Sequence, residues 1–296
     1  MRHLCLLVLM GLLTFSAAVA QEEVDLTSNL EASINPETVQ PLAQFGWGHP
    51  RDLAWMPDGK SFAVATAAGV YFYDAGDILA APRFFETGAQ ALDAIAISPD
   101  GKYLATGGDD VYLWDISTGI VVDEMRAGVG VSDVAFSPDG SLLAATTMTP
   151  ADYADCGLYV FDVASGRLRF THLEPYNWFF EIEFFPDSQR VLVAASNDSS
   201  GPVTIIDLQT GAVSTLSMFG DDNFHRLLPD SNSVLVYEGY SFYRFNLPEQ
   251  YDPALTSEYK RGYLTEIGLL PGAKQFFSLT QEGELAWWDS ETLEQL

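Results

Sequence analysis

From residue 50 to the C-terminus, short apolar runs alternate with polar turns, and the alternation itself repeats. The second unit reads A-I-A-I, S-P-D-G-K, Y-L-A-T-G, G-D-D, V-Y-L-W-D, I-S-T-G. The third reads D-V-A-F, S-P-D-G-S, L-L-A-A-T, an insertion, L-Y-V-F-D, V-A-S-G. The first (D-L-A-W, S-F-A-V-A-T, V-Y-F-Y-D) and the fourth (E-I-E-F, V-L-V-A-A-S, V-T-I-I-D) fall into the same register. Short runs rich in β-branched and aromatic residues, bounded by turns, are strand signals. Each unit therefore predicts three well-marked strands and a looser fourth.

The first turn of each unit is the most regular element. It is written M-P-D-G at 56–59, S-P-D-G at 98–101 and 137–140, F-P-D-S at 185–188, L-P-D-S at 228–231 and L-P-G-A at 270–273. Its prolines lie 42, 39, 48, 43 and 42 residues apart, an interval that marks a stacked or radial array of small units. Pro presets φ, Asp tolerates the bridge region and Gly accepts positive φ, so the turn suits a hairpin. Ser188 and Ser231 stand where Gly is expected and put a local conflict there. A second mark closes the third strand: Phe72-Tyr73-Asp74, Leu113-Trp114-Asp115, Val160-Phe161-Asp162, Ile205-Ile206-Asp207, Arg244-Phe245-Asn246 and Trp287-Trp288-Asp289. The ring or aliphatic group is expected to pack between neighbouring sheets, and the acid or amide to cap the next turn.

These marks resemble the WD40 repeat superfamily of β-propellers over residues 38–296. The S-P-D-G turns and the Trp-Asp pairs of units two and six carry the resemblance, and Gly48-His49 stands where the family's G-H pair would precede the first strand. The other units lack G-H, so the family's His–Asp–Trp hydrogen-bond network is expected to be fragmentary. The resemblance implies an all-β fold, a six-bladed β-propeller of four-stranded antiparallel sheets. The sixth unit stops at Leu296, where its outer strand should begin, and residues 38–46 are expected to supply that strand and close the ring. A seventh blade would have to come from 21–50, too short for four strands and their turns.

The N-terminus has a different grammar. Arg2 and His3 lead into the apolar stretch Leu4–Leu13 and then to Ala18-Val19-Ala20, the pattern of a cleaved secretory signal over residues 1–20. The apolar run is shorter than the roughly 20 residues of a membrane-spanning helix, so no transmembrane segment is expected after cleavage. Residues 21–37 read as a flexible leader, and the destination as extracytoplasmic, periplasmic or secreted. Cys5 would leave with the signal and Cys156 would remain alone, without an intramolecular disulfide partner.

The formal net charge is −27, and −28 once Arg2 is removed. A field of that sign argues against nucleic acid and anionic lipid surfaces. Solubility of an exported protein accounts for it, as does a basic partner. Asn197-Asp198-Ser199 matches a glycosylation acceptor.

In propellers of this kind, the connections between blades share one rim with those between second and third strands, opposite the P-D-G turns. Here those connections are long and irregular, and function concentrates on such loops. They offer Trp47, His49, Phe85, Tyr153, Glu174, Tyr176, Trp178, Asp221, Asp222 and His225 as a partner-binding rim. Aromatics among acids suit a protein interface. His49, His172 and His225 lie in three separate connections, and no metalloprotease, EF-hand, nucleophile-elbow or phosphate-loop spacing accompanies them. The expectation is a non-enzymatic scaffold without a cofactor. The alternative is a small-ligand-binding or hydrolytic propeller that uses the central funnel and a divalent cation, with Asp152 and Asp155 as further oxygen donors.

Overall fold

The computed structural model describes residues 50–88, 92–127, 130–148, 156–174, 178–196, 203–217, 224–228, 230, 232–238, 241–247, 250–258, 264–269, 274–280 and 283–296. All named elements are strands, in six antiparallel sheets. The first holds β1 (Pro50–Trp55), β2 (Ser61–Thr66), β3 (Gly69–Asp74) and β4 (Arg83–Phe85). The second holds β5 (Ala94–Ile97), β6 (Tyr103–Gly107), β7 (Val111–Asp115) and β8 (Ile120–Met125). The third holds β9 (Val131–Phe136), β10 (Leu142–Thr147), β11 (Gly157–Asp162) and β12 (Leu168–Leu173). The fourth holds β13 (Trp178–Phe184), β14 (Arg190–Ser196), β15 (Val203–Asp207) and β16 (Val213–Ser217). The fifth holds β17 (Phe224–Leu227), β18 (Ser233–Glu238), β19 (Ser241–Asn246) and β20 (Gln250–Glu258). The sixth holds β21 (Leu264–Leu269), β22 (Gln275–Thr280) and β23 (Leu285–Asp289). In every sheet the strands pair in sequence order, and each predicted unit is one sheet.

The chain forms two compact units: the first four sheets, from Gly46 to Asn223, and a second unit that contains the fifth and sixth sheets. Both faces of a four-stranded sheet are covered when its second strand is buried throughout, as β10 is. Neighbouring sheets bury those faces against each other. Leu104, Trp114 and Ile116 of the second sheet pack with Ala63, Phe72 and Phe85 of the first. Leu143 and Phe161 of the third pack with Leu113 and Met125 of the second, and Leu158 and Val160 of the third pack with Ile182 and Val193 of the fourth. In the other unit, Phe242 of the fifth sheet meets Trp288 of the sixth at 4.8 Å between ring centroids. Each fully buried Leu, Ile or Phe here contributes about 1.5–3 kcal/mol.

The expected turn chemistry is present. Gly59, Gly101 and Gly140 take positive φ, and Ser188 does the same at 58° in the fourth sheet. The acid closing the third strand caps the hairpin that follows. Asp115 Oδ1 accepts from the Thr118 amide at 2.8 Å, Asp162 Oδ1 from Ser165 at 2.9 Å, Asp207 Oδ1 from Thr210 at 2.7 Å and Asp289 Oδ1 from Thr292 at 2.8 Å. Two buried indoles are hydrogen-bonded to hydroxyls of the second strand of their own sheet. Trp114 Nε1 donates to Thr106 Oγ1 at 3.0 Å, and Trp288 Nε1 to Ser278 Oγ at 2.9 Å. The hairpin after β23 ends in Leu293 at φ 58°, where the corresponding turns have Gly119, Gly166 and Gly211. Cys156 is fully buried at the threshold of β11, its carbonyl accepting from the Glu174 amide at 3.1 Å.

The sixth sheet has three strands among the described residues, and Gln295 bridges Trp288 at its outer edge. The expected closing strand at 38–46, the leader, the signal and Asn197 lie outside the described residues.

Candidate functional site

The P-D-G turns are closed on themselves. Gly101 N–H donates to the Ser98 carbonyl at 2.8 Å, while Asp100 Oδ1 accepts from Ser98 Oγ at 2.7 Å and from the Lys102 amide at 3.1 Å. The Lys102 ammonium is 2.8 Å from Asp100 Oδ2, and with the Ser98 hydroxyl it brings this carboxyl down to about 2. Asp139 Oδ1 likewise accepts from Ser137 Oγ at 2.6 Å and the Ser141 amide at 2.9 Å, and Asp187 Oδ1 from the Gln189 and Arg190 amides at 2.8 and 3.0 Å. Carboxylates engaged in this way have little left to offer a partner.

At the other end of the inner strands the arrangement differs from sheet to sheet. The register of β1, β9, β13 and β21 skips one residue, Arg51, Ser132, Phe180 and Thr265 respectively. Such a bulge re-aims the side chain beside it. The residue that follows each skip is an acid: Asp52, Asp133, Glu181 and Glu266. Asp52 Oδ1 accepts from its neighbour Leu53 at 2.7 Å, and Oδ2 from the Ile95 amide of the second sheet at 2.7 Å. Asp133 does the same with Val134 at 2.8 Å and with Ile182 of the fourth sheet at 2.9 Å. Ser132 Oγ adds a bond to the Phe179 carbonyl.

β5 has Ala94 at this position and no register skip, so among the described residues no bond of this kind joins the second and third sheets. They meet instead through the backbone, Val131 N–H donating to the Gly108 carbonyl at 2.7 Å. A Cβ at Gly107 would lie 2.5 Å from Val131 Cγ1, which requires glycine there.

Burial raises both carboxyls. Asp52 is pushed up to about 6, with the bonds from Ile95 and Leu53 acting against the shift. Asp133 rises well above the usual carboxylate range through burial and then the charge of Asp52. In the second unit, Arg226 donates to the half-buried Glu266 across the fifth and sixth sheets.

Of the ten rim residues expected from sequence, Trp47, His49, Tyr153, Tyr176, Asp221 and Asp222 lie outside the described residues. Glu174 and half-buried Trp178 flank the next connection, and Glu174 Oε1 is 2.8 Å from His172 Nε2. Phe85 and His225 are corrections. Phe85 is 6% exposed and belongs to an outer strand, edge-on to Trp114 at 5.6 Å, so it serves as core between two sheets. His225 is fully buried inside β17, paired in register with Val236, and is not part of a connection. Asp52 and Asp133 were missed, although an acid five residues before the turn proline recurs in four of the six units. Among the described residues, no three His, Cys, Asp or Glu side chains converge as metal ligands.

Comparison with known proteins fits this geometry. The family model of eukaryotic translation initiation factor eIF2A matches residues 47–182. Initiation factor 3 subunit I of Scheffersomyces stipitis is 34% identical over 192 residues, covering 58% of this chain and 53% of that protein. The COMPASS component SWD3 of Saccharomyces cerevisiae is 24% identical over 157 residues, covering 52% and 47%. The chain thus spans about half or less of the length of the curated relatives it matches. The β-propeller domain of Cps50 (Swd1) from Myceliophteria thermophila superposes with a TM-score of 0.70 at 15% identity, covering 86% of this chain and 87% of that one.

The class is therefore all-β, a six-bladed propeller of antiparallel sheets. Within that class the chain is similar to WD40-type β-propellers, at low identity. Propellers of this kind typically act as protein-interaction scaffolds.

Proposed function

We propose that the protein is an exported, non-enzymatic scaffold that binds a protein partner, a basic one among the candidates, through the irregular rim. The observation that carries this is the contrast between the two ends of the sheets. The acids of the P-D-G turns are spent on their own turns, whereas the sequence of the connections at the other end is rich in aromatic and acidic residues. Glu174, Tyr176 and Trp178 form the most concentrated part of it. Two relatives carry names that describe parts of assemblies, a COMPASS component and a subunit of initiation factor 3, and these support a scaffold. Export rests on the Arg2-to-Ala20 pattern and the net charge of −27.

The test uses the full chain with a C-terminal tag. N-terminal sequencing of the exported form should begin at Gln21. Affinity capture from the extracytoplasmic fraction should recover a partner with the wild type and with Lys102→Ala on the opposite rim. Tyr176→Ala/Trp178→Ala should lose that partner, and equal recovery by all three would overturn the rim assignment.

A further inference from the structure

A cleft of about 540 Å³ lies between the outer strand of the first sheet and the β7–β8 turn of the second, bordered also by Glu86, Thr87 and Gly88 at the start of the β4–β5 connection. We propose that it docks an extended segment of a partner protein carrying a basic and an acidic side chain three residues apart.

The first argument concerns the edge. β4 ends the strand order of its sheet, so its outer backbone edge has no partner strand within that sheet. The outer strands β8, β12 and β16 carry a register skip at Val122, Arg169 and Leu216, and β20 is irregular in its pairing with β19, whereas β4 pairs without a skip. Bulges at sheet edges discourage further pairing. β4 lacks that protection, carries Phe84 at 47% exposure, and continues along the cleft through Glu86 and Thr87.

The second argument is an unused polar atom. Thr87 borders the cleft and is only 4% exposed, yet its Oγ1 is buried with no hydrogen-bond partner among the described residues. A hydroxyl left in that condition carries an uncompensated desolvation cost, which a bound segment can recover.

Charge supplies the third. Arg83 is held in place from two sides, Nη1 donating to the Ile116 carbonyl at 3.1 Å and the guanidinium lying 4.5 Å over the Phe72 ring. Its remaining N–H groups are free to take a carboxylate. Glu86, three residues on, has the opposite sign and lines the same cleft. Extended chain places such residues about 10 Å apart. All strand pairs described in this protein are antiparallel, and a segment added to β4 in that sense presents its base to Glu86 first and its acid to Arg83 three residues later. The floor beneath is apolar, built from Phe85 and Trp114.

The experiment titrates the purified full chain with acetyl-Thr-Lys-Val-Val-Glu-Thr-amide and with the same peptide after exchange of Lys and Glu, by calorimetry. The first peptide should bind saturably and about tenfold more tightly than the second. Arg83→Glu/Glu86→Arg should reverse that preference. Thr87→Val keeps the side-chain shape, so it should leave Tm unchanged or higher while weakening the first peptide about threefold or more. Glu86→Lys alone, on an exposed side chain, covers the case in which the double variant does not fold, and should erase the preference. Equal binding of the two peptides, no saturation at millimolar peptide, or a Thr87→Val protein with unchanged affinity would each overturn the proposal. A concentration-dependent dimer abolished by Phe84→Lys would also do so, since the edge would then belong to a second copy. The rim variant Tyr176→Ala/Trp178→Ala should bind the peptide like wild type, so failure here leaves the rim assignment untouched.

Discussion

The carboxylate of Asp133 in the third sheet holds the backbone amide of Ile182 in the fourth at 2.9 Å, and Asp52 holds Ile95 in the same way at 2.7 Å. Two buried acids thus fasten neighbouring sheets at their inner ends. Among the described residues, a third fastening of this kind is absent between the second and third sheets, where Ala94 stands.

Stability should peak on the acid side of neutrality. The raised carboxyl of Asp52 keeps its proton in the folded state up to about pH 6, whereas the unfolded chain loses it near 3.8. Its contribution is therefore full at low pH and is lost as pH rises through about 4 to 6, and Asp133 extends that loss to higher pH. The hairpin acids act in the opposite direction. Asp115, held down by Ser117 and Thr118, and Asp207, held down by Thr210, stabilise above the unfolded carboxylate value and lose that effect as pH falls below it. Tm measured from pH 3 to 8 should rise, pass a maximum near pH 4–5 and decline. A maximum at pH 7 or above would contradict the assignment.

Asp133→Ala leaves the Ile182 amide without its acceptor, which costs about 1–3 kcal/mol. It also removes a buried charge, so the loss should shrink as pH rises from 5 to 8. Chemical denaturation of variant and wild type at both pH values measures the difference. A loss that grows with pH would refute the burial cause.

Thr106→Val deletes the acceptor of the Trp114 indole, buried between the first and second sheets. The side chains are nearly equal in volume, so the expected loss of about 1–3 kcal/mol comes from the orphaned N–H alone. Ser278→Ala should do the same to Trp288.

Leu293 is 1% exposed and sits at φ 58°. Replacement by Gly relieves about 1–2 kcal/mol of left-handed strain but removes a buried side chain worth about 2–5 kcal/mol. The net effect should be destabilising by about 1–3 kcal/mol, read from urea midpoints.

The six sheets were legible because Pro fixes a turn wherever it recurs and Trp-Asp marks where a third strand ends. Positions decided by a single skipped residue were harder to see. Arg51 and Ser132 leave no compositional trace of a bulge, and only the spacing from Asp52 to Pro57 and from Asp133 to Pro138 hints at it. Phe85 was read as a loop residue because β4 is three residues long, too short to show alternation. His225 misled for a different reason. A histidine beside a polar connection has the same composition whether it stands in the loop or, as here, one step inside the strand.

Cys156, sealed at the threshold of β11, gives the third sheet a clock of its own. A thiol reagent can reach that sulfur only when the surrounding strands part, so the labelling rate under native conditions reports how often they do. Comparing it in wild type and in Asp133→Ala would tell whether fastening the third sheet to the fourth also keeps β11, two strands across at the same end of the sheet, shut.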